Sequence, residues 1–315
     1  MRRIAAATAA VLALSGCTAA YDDDGEFLPT GSLSATDGPA ADATPVVVDT
    51  DLAAEDLAAL AFLLRRSDVR VVGVTIAGTG LVGCDPGADL VADLIRALGE
   101  SWVPIACGRE DAARPWPAEW RELAARAPGL PRWDTTLLPV SVPAPRFIAR
   151  LADTTDGLQV VALGPLTNLA DLAEQRPDSY RRLAGITAMG GAVDVPSIDG
   201  VAEWNAAADP AAMNVVLAGP APLTVVPDDP IPAGNPAALD APVVGPIAAN
   251  ITIPKWWDTT TVAALVTPGA VSSEPGTWTV DATGRLSRTG SGSVVAVVTA
   301  LDKAQIDATL EATFG

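Results

Sequence analysis

The apolar positions of this chain fall into short continuous runs separated by sets with helical spacing. The run at 45–48 ends in Asp49-Thr50-Asp51, and after Glu55 and Asp56 come Leu57, Leu60, Ala61 and Leu64. The run predicts a buried strand, and the later spacing predicts one face of a helix. Further runs at 69–77, 103–106, 158–164, 186–189 and 223–226 predict more buried strands. Between them, Leu90, Val91, Leu94, Ile95 and Leu98 mark a helix over 86–99, and Pro165-Leu166-Thr167-Asn168 opens another. Asp209-Pro210 reads as an N-cap followed by a first-turn proline. Near the end, 277–281 and 294–299 read as strands, and 243–250, 259–266 and 303–314 as helices. Alternation at this spacing predicts a single α/β domain with a mixed, largely parallel central sheet flanked by helices, a Rossmann-like arrangement. The segment 109–145 breaks the alternation. It carries Trp116, Trp120, Trp133 and many prolines, and reads as a loop or lid beside the strand ends. Its tryptophans either pack locally or face a ligand.

Asp49, Asp51, Glu55 and Asp56 thus sit within eight residues at a strand-to-helix junction. In an open α/β sheet that end of a strand is where ligands bind. Carboxylates this close repel one another. A helix N-terminus offsets part of that repulsion, and a hard cation such as Ca²⁺ or Mg²⁺ offsets more. A capped helix beside a solvated acidic loop is the alternative.

Composition narrows the chemistry. The net charge is −18 and the pI about 4.2, which argues against nucleic acid binding through phosphate contacts. The 315 residues include no histidine. That excludes a Ser-His-Asp triad, His-ligated zinc and an imidazole general acid. Carboxylates, hydroxyls, amides, Lys, Arg, Cys or a metal must carry any reaction.

Residues 1–16 read as a bacterial lipoprotein signal peptide. Arg2 and Arg3 precede a short apolar segment, and Leu14-Ser15-Gly16-Cys17 resembles a lipobox. The resemblance implies that Cys17 is lipidated and that the only membrane attachment is this anchor. An ordinary secretory signal is the alternative. The acidic, non-periodic stretch 17–43, with Asp22-Asp23-Asp24, reads as a flexible tether. The body, 44–315, would then lie outside the cytoplasm. Cys84 and Cys107 either pair there or remain separate thiols.

Four blocks, in order, resemble the inosine/uridine-preferring nucleoside hydrolase family. They are VVVDTDLAAEDLAAL, VVALGPLTNLADL, ITAMGGAV followed by AEWNAAADPAA, and WDTTTVAAL. The resemblance spans about Thr44 to Phe314 and implies a Ca²⁺-dependent hydrolase that cleaves the N-glycosidic bond of ribonucleosides. It implies that Asp51 is a calcium ligand and the base that activates water, with Asp49 in support. Asp56, Asp258 and the Thr167 carbonyl would complete the ligands. Glu55 would hold the 2′- and 3′-hydroxyls and Asn205 a ribose hydroxyl. Glu203 would reach the 5′-hydroxyl, and Met189 would flank the ribose. Dimers or tetramers are common in the family, so a homo-oligomer is implied as well.

The chain also departs from the family pattern. Trp257 stands where many members have a histidine that protonates the leaving base. This resembles the purine-specific branch, in which tryptophans sandwich the base. Trp257 would be one wall and Trp116 the other, with Trp120 in reserve. Core packing beside Trp256 is the alternative for Trp257. Leu52-Ala53 replaces the usual Pro-Gly, Glu55 replaces an Asp, Thr79 stands where Asn is usual, and Ser197 falls near a usual Asn. The expectation is a purine-leaning nucleoside hydrolase. A binding lipoprotein without turnover, and a hydrolase of another N-riboside, are the alternatives.

Overall fold

The computed structural model describes residues 39–127, 129–133, 139–234, 241–249 and 255–314, together with two short strands nearer the N-terminus. The signal peptide, Cys17 and most of the tether lie outside the described residues. Contacts divide the chain into Met1–Leu33 and Ser34–Gly315. In the first unit, β1 (Ala20–Tyr21) pairs antiparallel with β2 (Phe27–Leu28).

The second unit is built on an eight-stranded sheet. Its first strand, β3 (Thr44–Thr50), pairs in parallel with β4 (Val69–Ile76) on one side and β6 (Gln159–Ala162) on the other. Beyond β4 lies β5 (Ile105–Cys107). Beyond β6 come β7 (Gly185–Met189), β8 (Leu223–Val226) and β12 (Val295–Leu301), all parallel. An antiparallel edge strand, β9 (Val271–Gly276), completes the order β5-β4-β3-β6-β7-β8-β12-β9.

The parallel strands are apolar on both faces because both are covered. Val46 and Val48 point into one core with α1 (Ala54–Leu64), α2 (Cys84–Leu98) and α10 (Trp257–Val266). Val47 points into the other, with α4 (Ala144–Thr154), α5 (Thr167–Gln175) and α8 (Pro210–Ala218). Helix ends follow local chemistry. α2 stops at Gly99, whose φ of 69° is left-handed and costs glycine little. Asp209 caps α8 by accepting from the Ala212 N–H at 3.0 Å, as the Asp-Pro pair predicts.

Two segments differ from the sequence expectation. The 109–145 stretch is not wholly irregular: α3 (Ala118–Arg126) lies within it and α4 starts at its end. α3 buries none of its residues, so its sequence lacks an apolar stripe to announce it. β9 was not anticipated. Its sequence VSSEPG is polar and mostly exposed, and Pro275 is tolerable only at an edge. The 277–281 run does form a strand, β10 (Trp278–Val280), but it pairs with β11 (Leu286–Arg288) in a separate hairpin.

Cys84 and Cys107 form a disulfide with Cα atoms 5.7 Å apart, which decides between the two alternatives left by the sequence. It ties the start of α2 to the end of β5. The crosslink closes a loop of 23 residues' separation. Replacing both cysteines by alanine is expected to cost about 3 kcal/mol, seen as a lower urea midpoint. An unchanged midpoint would contradict this.

Candidate active site

The chain runs outward from β3 through β4 to β5, then returns to β6 on the other flank of β3. The order of strands therefore reverses beside β3, and the reversal leaves a crevice beyond the carboxyl ends of the strands. Several predicted residues follow such ends: Asp51 after β3, Thr79 after β4, Thr167 after β6, Met189 at the end of β7. By contrast, a cavity of about 360 Å³ at the opposite ends is lined by Asp42, Thr44, Ser67, Asp68 and Gln159, among others, and gathers none of them.

Asp51, Asp56 and Asp258 are 2%, 1% and 3% exposed. Burial raises the pKa of each carboxyl, most strongly for Asp51 and Asp258. For Asp51 and Asp258 the Asp56 charge is the next cause. Glu55 is pushed up to about 7, again by burial and then by Asp56. The group is thus one electrostatic cluster, although Asp258 lies some two hundred residues from the others in sequence. Its placement is local chemistry. The Leu81 N–H donates to Asp51 Oδ2 at 2.9 Å, and the Thr50 hydroxyl donates to Asp56 Oδ1. Asp258 is carried by the first turn of α10. Leu52 follows Asp51 at φ 63°, a left-handed conformation that strains a leucine and turns the chain sharply into α1.

Two glycines let the strand ends close around Asp51. A Cβ on Gly80 would lie 2.2 Å from Asp51 Cβ, and one on Gly164 would lie 2.8 Å from it. Asp49 stands one layer deeper. It accepts from Thr75 Oγ1 at 2.6 Å and Asn168 Nδ2 at 2.7 Å, and burial lifts its pKa to about 7. Thr79 Oγ1 meets Thr167 Oγ1 at 2.7 Å. Thr167 Oγ1 donates to Asp209 Oδ2 at 2.9 Å, and the Arg109 guanidinium donates to the same oxygen at 2.8 Å. Sequence reasoning quoted Asn168 and Asp209 only as motif and cap residues and missed Arg109. The Gly-Pro-Leu-Thr-Asn block was the available signal for Asn168.

On the other side of the crevice, Glu203 is the N-cap of α7 (Trp204–Ala208). Its Oε1 accepts from the Asn205 N–H at 2.7 Å. Its Oε2 accepts from Gly191 N–H at 2.6 Å and Ala206 N–H at 2.9 Å. Each oxygen is therefore already engaged by backbone, and reach toward a 5′-hydroxyl would use a remaining lone pair. Asn205 Nδ2 donates to the Leu163 carbonyl at 2.7 Å and to Met189 Sδ at 3.3 Å, which brings these two candidate residues together. Ser197 Oγ accepts from Arg285 at 3.3 Å.

The tryptophans expected as walls each have neighbours of their own. Trp116 stacks on Trp204 with centroids 5.0 Å apart and planes at 27°. Trp120 completes that cluster, 5.3 Å from Trp204. Trp257 is half-buried against Met189, Val226, Ile231 and Val298, and its Nε1 donates to Asp228. The structure thus brings Trp116 to Trp204, beside Asn205, rather than to Trp257. Neither Trp204 nor Asp228 was singled out from sequence.

The residues suit a hard cation by chemistry. Asp56 Oδ2 and Asp258 Oδ1 are buried with no other described residue donating to them, and the two carboxyls hydrogen-bond to each other when one is protonated. No cationic side chain is among the largest causes acting on the four carboxyls. A divalent ion would satisfy both oxygens and offset the repulsion. Among the described residues, however, no three Cys, Asp or Glu side chains are already grouped as a metal centre. The donors are present but not drawn into a coordination sphere.

Two outcomes follow for stability. Gly80→Ala is expected to lower stability by about 1–3 kcal/mol through overpacking against Asp51. Asp258→Asn, in metal-free buffer at a pH above the raised pKa of this carboxyl, is expected to raise it by about 1–3 kcal/mol, because the amide donates to Asp56 and removes a buried charge. Urea unfolding measures both, and opposite signs would refute the packing and the charge description.

The model of the family described as inosine-uridine preferring nucleoside hydrolase matches residues 46–308. A pyrimidine-specific ribonucleoside hydrolase of Citrobacter koseri is 27% identical over 191 residues, 58% of this chain and 59% of that protein. This chain therefore spans less than two thirds of the length of that curated relative. Among solved structures, a plant nucleoside hydrolase superposes with a TM-score of 0.77 at 20% identity, covering 86% of this chain and 98% of that one. An inosine-guanosine nucleoside hydrolase gives 0.74 at 20% identity over the same shares. At such identity the likeness of structures speaks for the fold, and the match over 46–308 carries the assignment: this chain belongs to the inosine-uridine preferring nucleoside hydrolase family.

Proposed function

We propose that the protein hydrolyses the N-glycosidic bond of ribonucleosides, releasing base and ribose, with Ca²⁺ bound and purines preferred. The observation that carries this reading is the buried carboxylate cluster at the strand reversal, where no other described residue donates to Asp56 Oδ2 or Asp258 Oδ1. Asp51, Asp56, Asp258 and the Thr167 carbonyl would hold the ion. A bound Ca²⁺ supplies the Lewis acidity that makes water a nucleophile near neutral pH. Asp51 takes the water's proton, a role suited to a carboxyl whose pKa is raised by burial. Glu55 and Asn205 orient the ribose hydroxyls. The surrounding carboxylates stabilise the oxocarbenium-like sugar cation as the bond to the base breaks.

With no histidine available, departure of the base rests on its contacts. Aromatic stacking, about 0.5–1.5 kcal/mol per pair, favours the larger face of a purine. Trp257 beside Met189, and the Trp116–Trp204 stack beside Asn205, support that preference. The pyrimidine-specific name of the Citrobacter koseri relative favours a second reading, in which uridine and cytidine are substrates. The lipobox-like Leu14-Ser15-Gly16-Cys17 supports lipid anchoring at Cys17 outside the cytoplasm. The Cys84–Cys107 disulfide agrees with an oxidising compartment.

The test is ribose release from inosine, guanosine, adenosine and uridine, with Ca²⁺ and with EDTA. Purine turnover abolished by EDTA is expected, and Asp51→Asn should lower it at least about 10²-fold. Uridine turnover equal to inosine would select the pyrimidine-tolerant reading. Absence of release from all four would leave a binding protein or another N-riboside as substrate.

A further inference from the structure

Trp257 is the first residue of α10, directly before Asp258. A ring at that position has its plane set by whatever holds its N–H. Here Nε1 donates to Asp228 Oδ1. Asp228 follows the end of β8 and is itself fixed. Its N–H donates to the Gly191 carbonyl at 2.9 Å. Its own carbonyl accepts from Lys255 Nζ at 2.9 Å. The same ammonium lies 2.6 Å from Asp228 Oδ1 and 5.9 Å from the Trp257 ring centre. Lys255 is in turn held by a bridge to Ala233. Carboxylate to indole, carboxylate to ammonium and ammonium to ring thus form a closed bracket.

The bracket has a plain electrostatic logic. Asp228 is 7% exposed, and a buried carboxylate needs a partner. Lys255 supplies the charge, which leaves the carboxylate free to fix the indole. The ring also packs, half-buried, against the cluster of Met189, Val226, Ile231 and Val298. A tryptophan pinned at its N–H and packed on its body has no rotamer freedom left to lose when a planar group stacks on it. Burial, and to a lesser extent the charge of Asp228, raises the pKa of Glu203, so Asp228 lies within electrostatic reach of that carboxyl.

We propose that Asp228, neutralised by Lys255, is a positioning residue that sets the plane of Trp257 and thereby the preference for the base. This rests on the nucleoside hydrolase reading above. Neither residue touches the reacting bond, and both act through the indole.

Inosine and uridine kinetics of Asp228→Ala, Asp228→Asn and Lys255→Met test it, each also made in a Trp257→Phe background. Asp228→Ala is expected to lower kcat/KM for inosine about tenfold, the scale of a lost aromatic stack, and for uridine by less than about threefold. Asp228→Asn keeps an acceptor for the indole and should recover most of the loss. In the Trp257→Phe background, Asp228→Ala should change the inosine-to-uridine ratio by less than about twofold. Near-ultraviolet circular dichroism gives a readout independent of turnover. The wild-type minus Trp257→Phe difference band should collapse in Asp228→Ala and persist in Asp228→Asn. If neither nucleoside is hydrolysed, the activity reading fails, and calorimetric binding of inosine and uridine replaces the kinetics. Equal losses on both nucleosides, an undiminished effect without Trp257, or an unchanged difference band would overturn the role of Asp228. If Asp228→Ala does not fold, Asp228→Asn and Lys255→Met carry the same comparison, with Lys255→Met expected to shift the ratio in the Asp228→Ala direction.

Discussion

Mutual repulsion among buried carboxylates is the constraint that shapes this molecule. Asp51, Asp56 and Asp258 are out of water, Glu55 adjoins them, and burial raises the pKa of all four. A fold that buries charge without a partner gives up stability. It is held here by two apolar cores that pack either face of β3 and do not depend on the charges. Gly80 and Gly164 let neighbouring backbone press against Asp51, and the left-handed Leu52 turns the chain into α1. The cluster is therefore imposed by packing, and under the proposed function its electrostatic cost would prepare the site for a positive group.

The polar scaffold around the cluster runs outward in both directions. On one side, Thr79, Thr167, Asp209 and Arg109 form a chain of short contacts that leads from the strand ends to the surface. On the other, Glu203 folds α7 around itself and presents Asn205 to Met189. Asn205 and Thr167 thus have their orientation fixed before any ligand arrives, which is how a site avoids reorganising during a reaction.

The sheet and the acidic segment that follows β3 were legible because their signals are local. The apolar run before Asp49 forced a buried strand, and Asp51 to Asp56 followed within one turn. Asp209-Pro210 announced its helix. β9 was not legible, since an exposed edge strand with a proline carries no apolar alternation. α3 was hidden for the same reason. Partnerships across the fold were equally invisible. Asp228 and Trp257 are 29 residues apart, and Arg109 and Asp209 are 100 apart. Only the topology brings them together. The pairing of Trp116 with Trp204 shows the same limit: sequence placed an indole near the crevice but could not say which ring it would meet.

Calcium titration calorimetry on the purified, EDTA-treated protein tests the central claim most directly. One ion per chain is predicted to bind, and Asp56→Ala should abolish that binding while the protein stays folded. No calcium binding by the wild type, or unchanged binding by Asp56→Ala, would contradict the account of the buried carboxylates as a cation site.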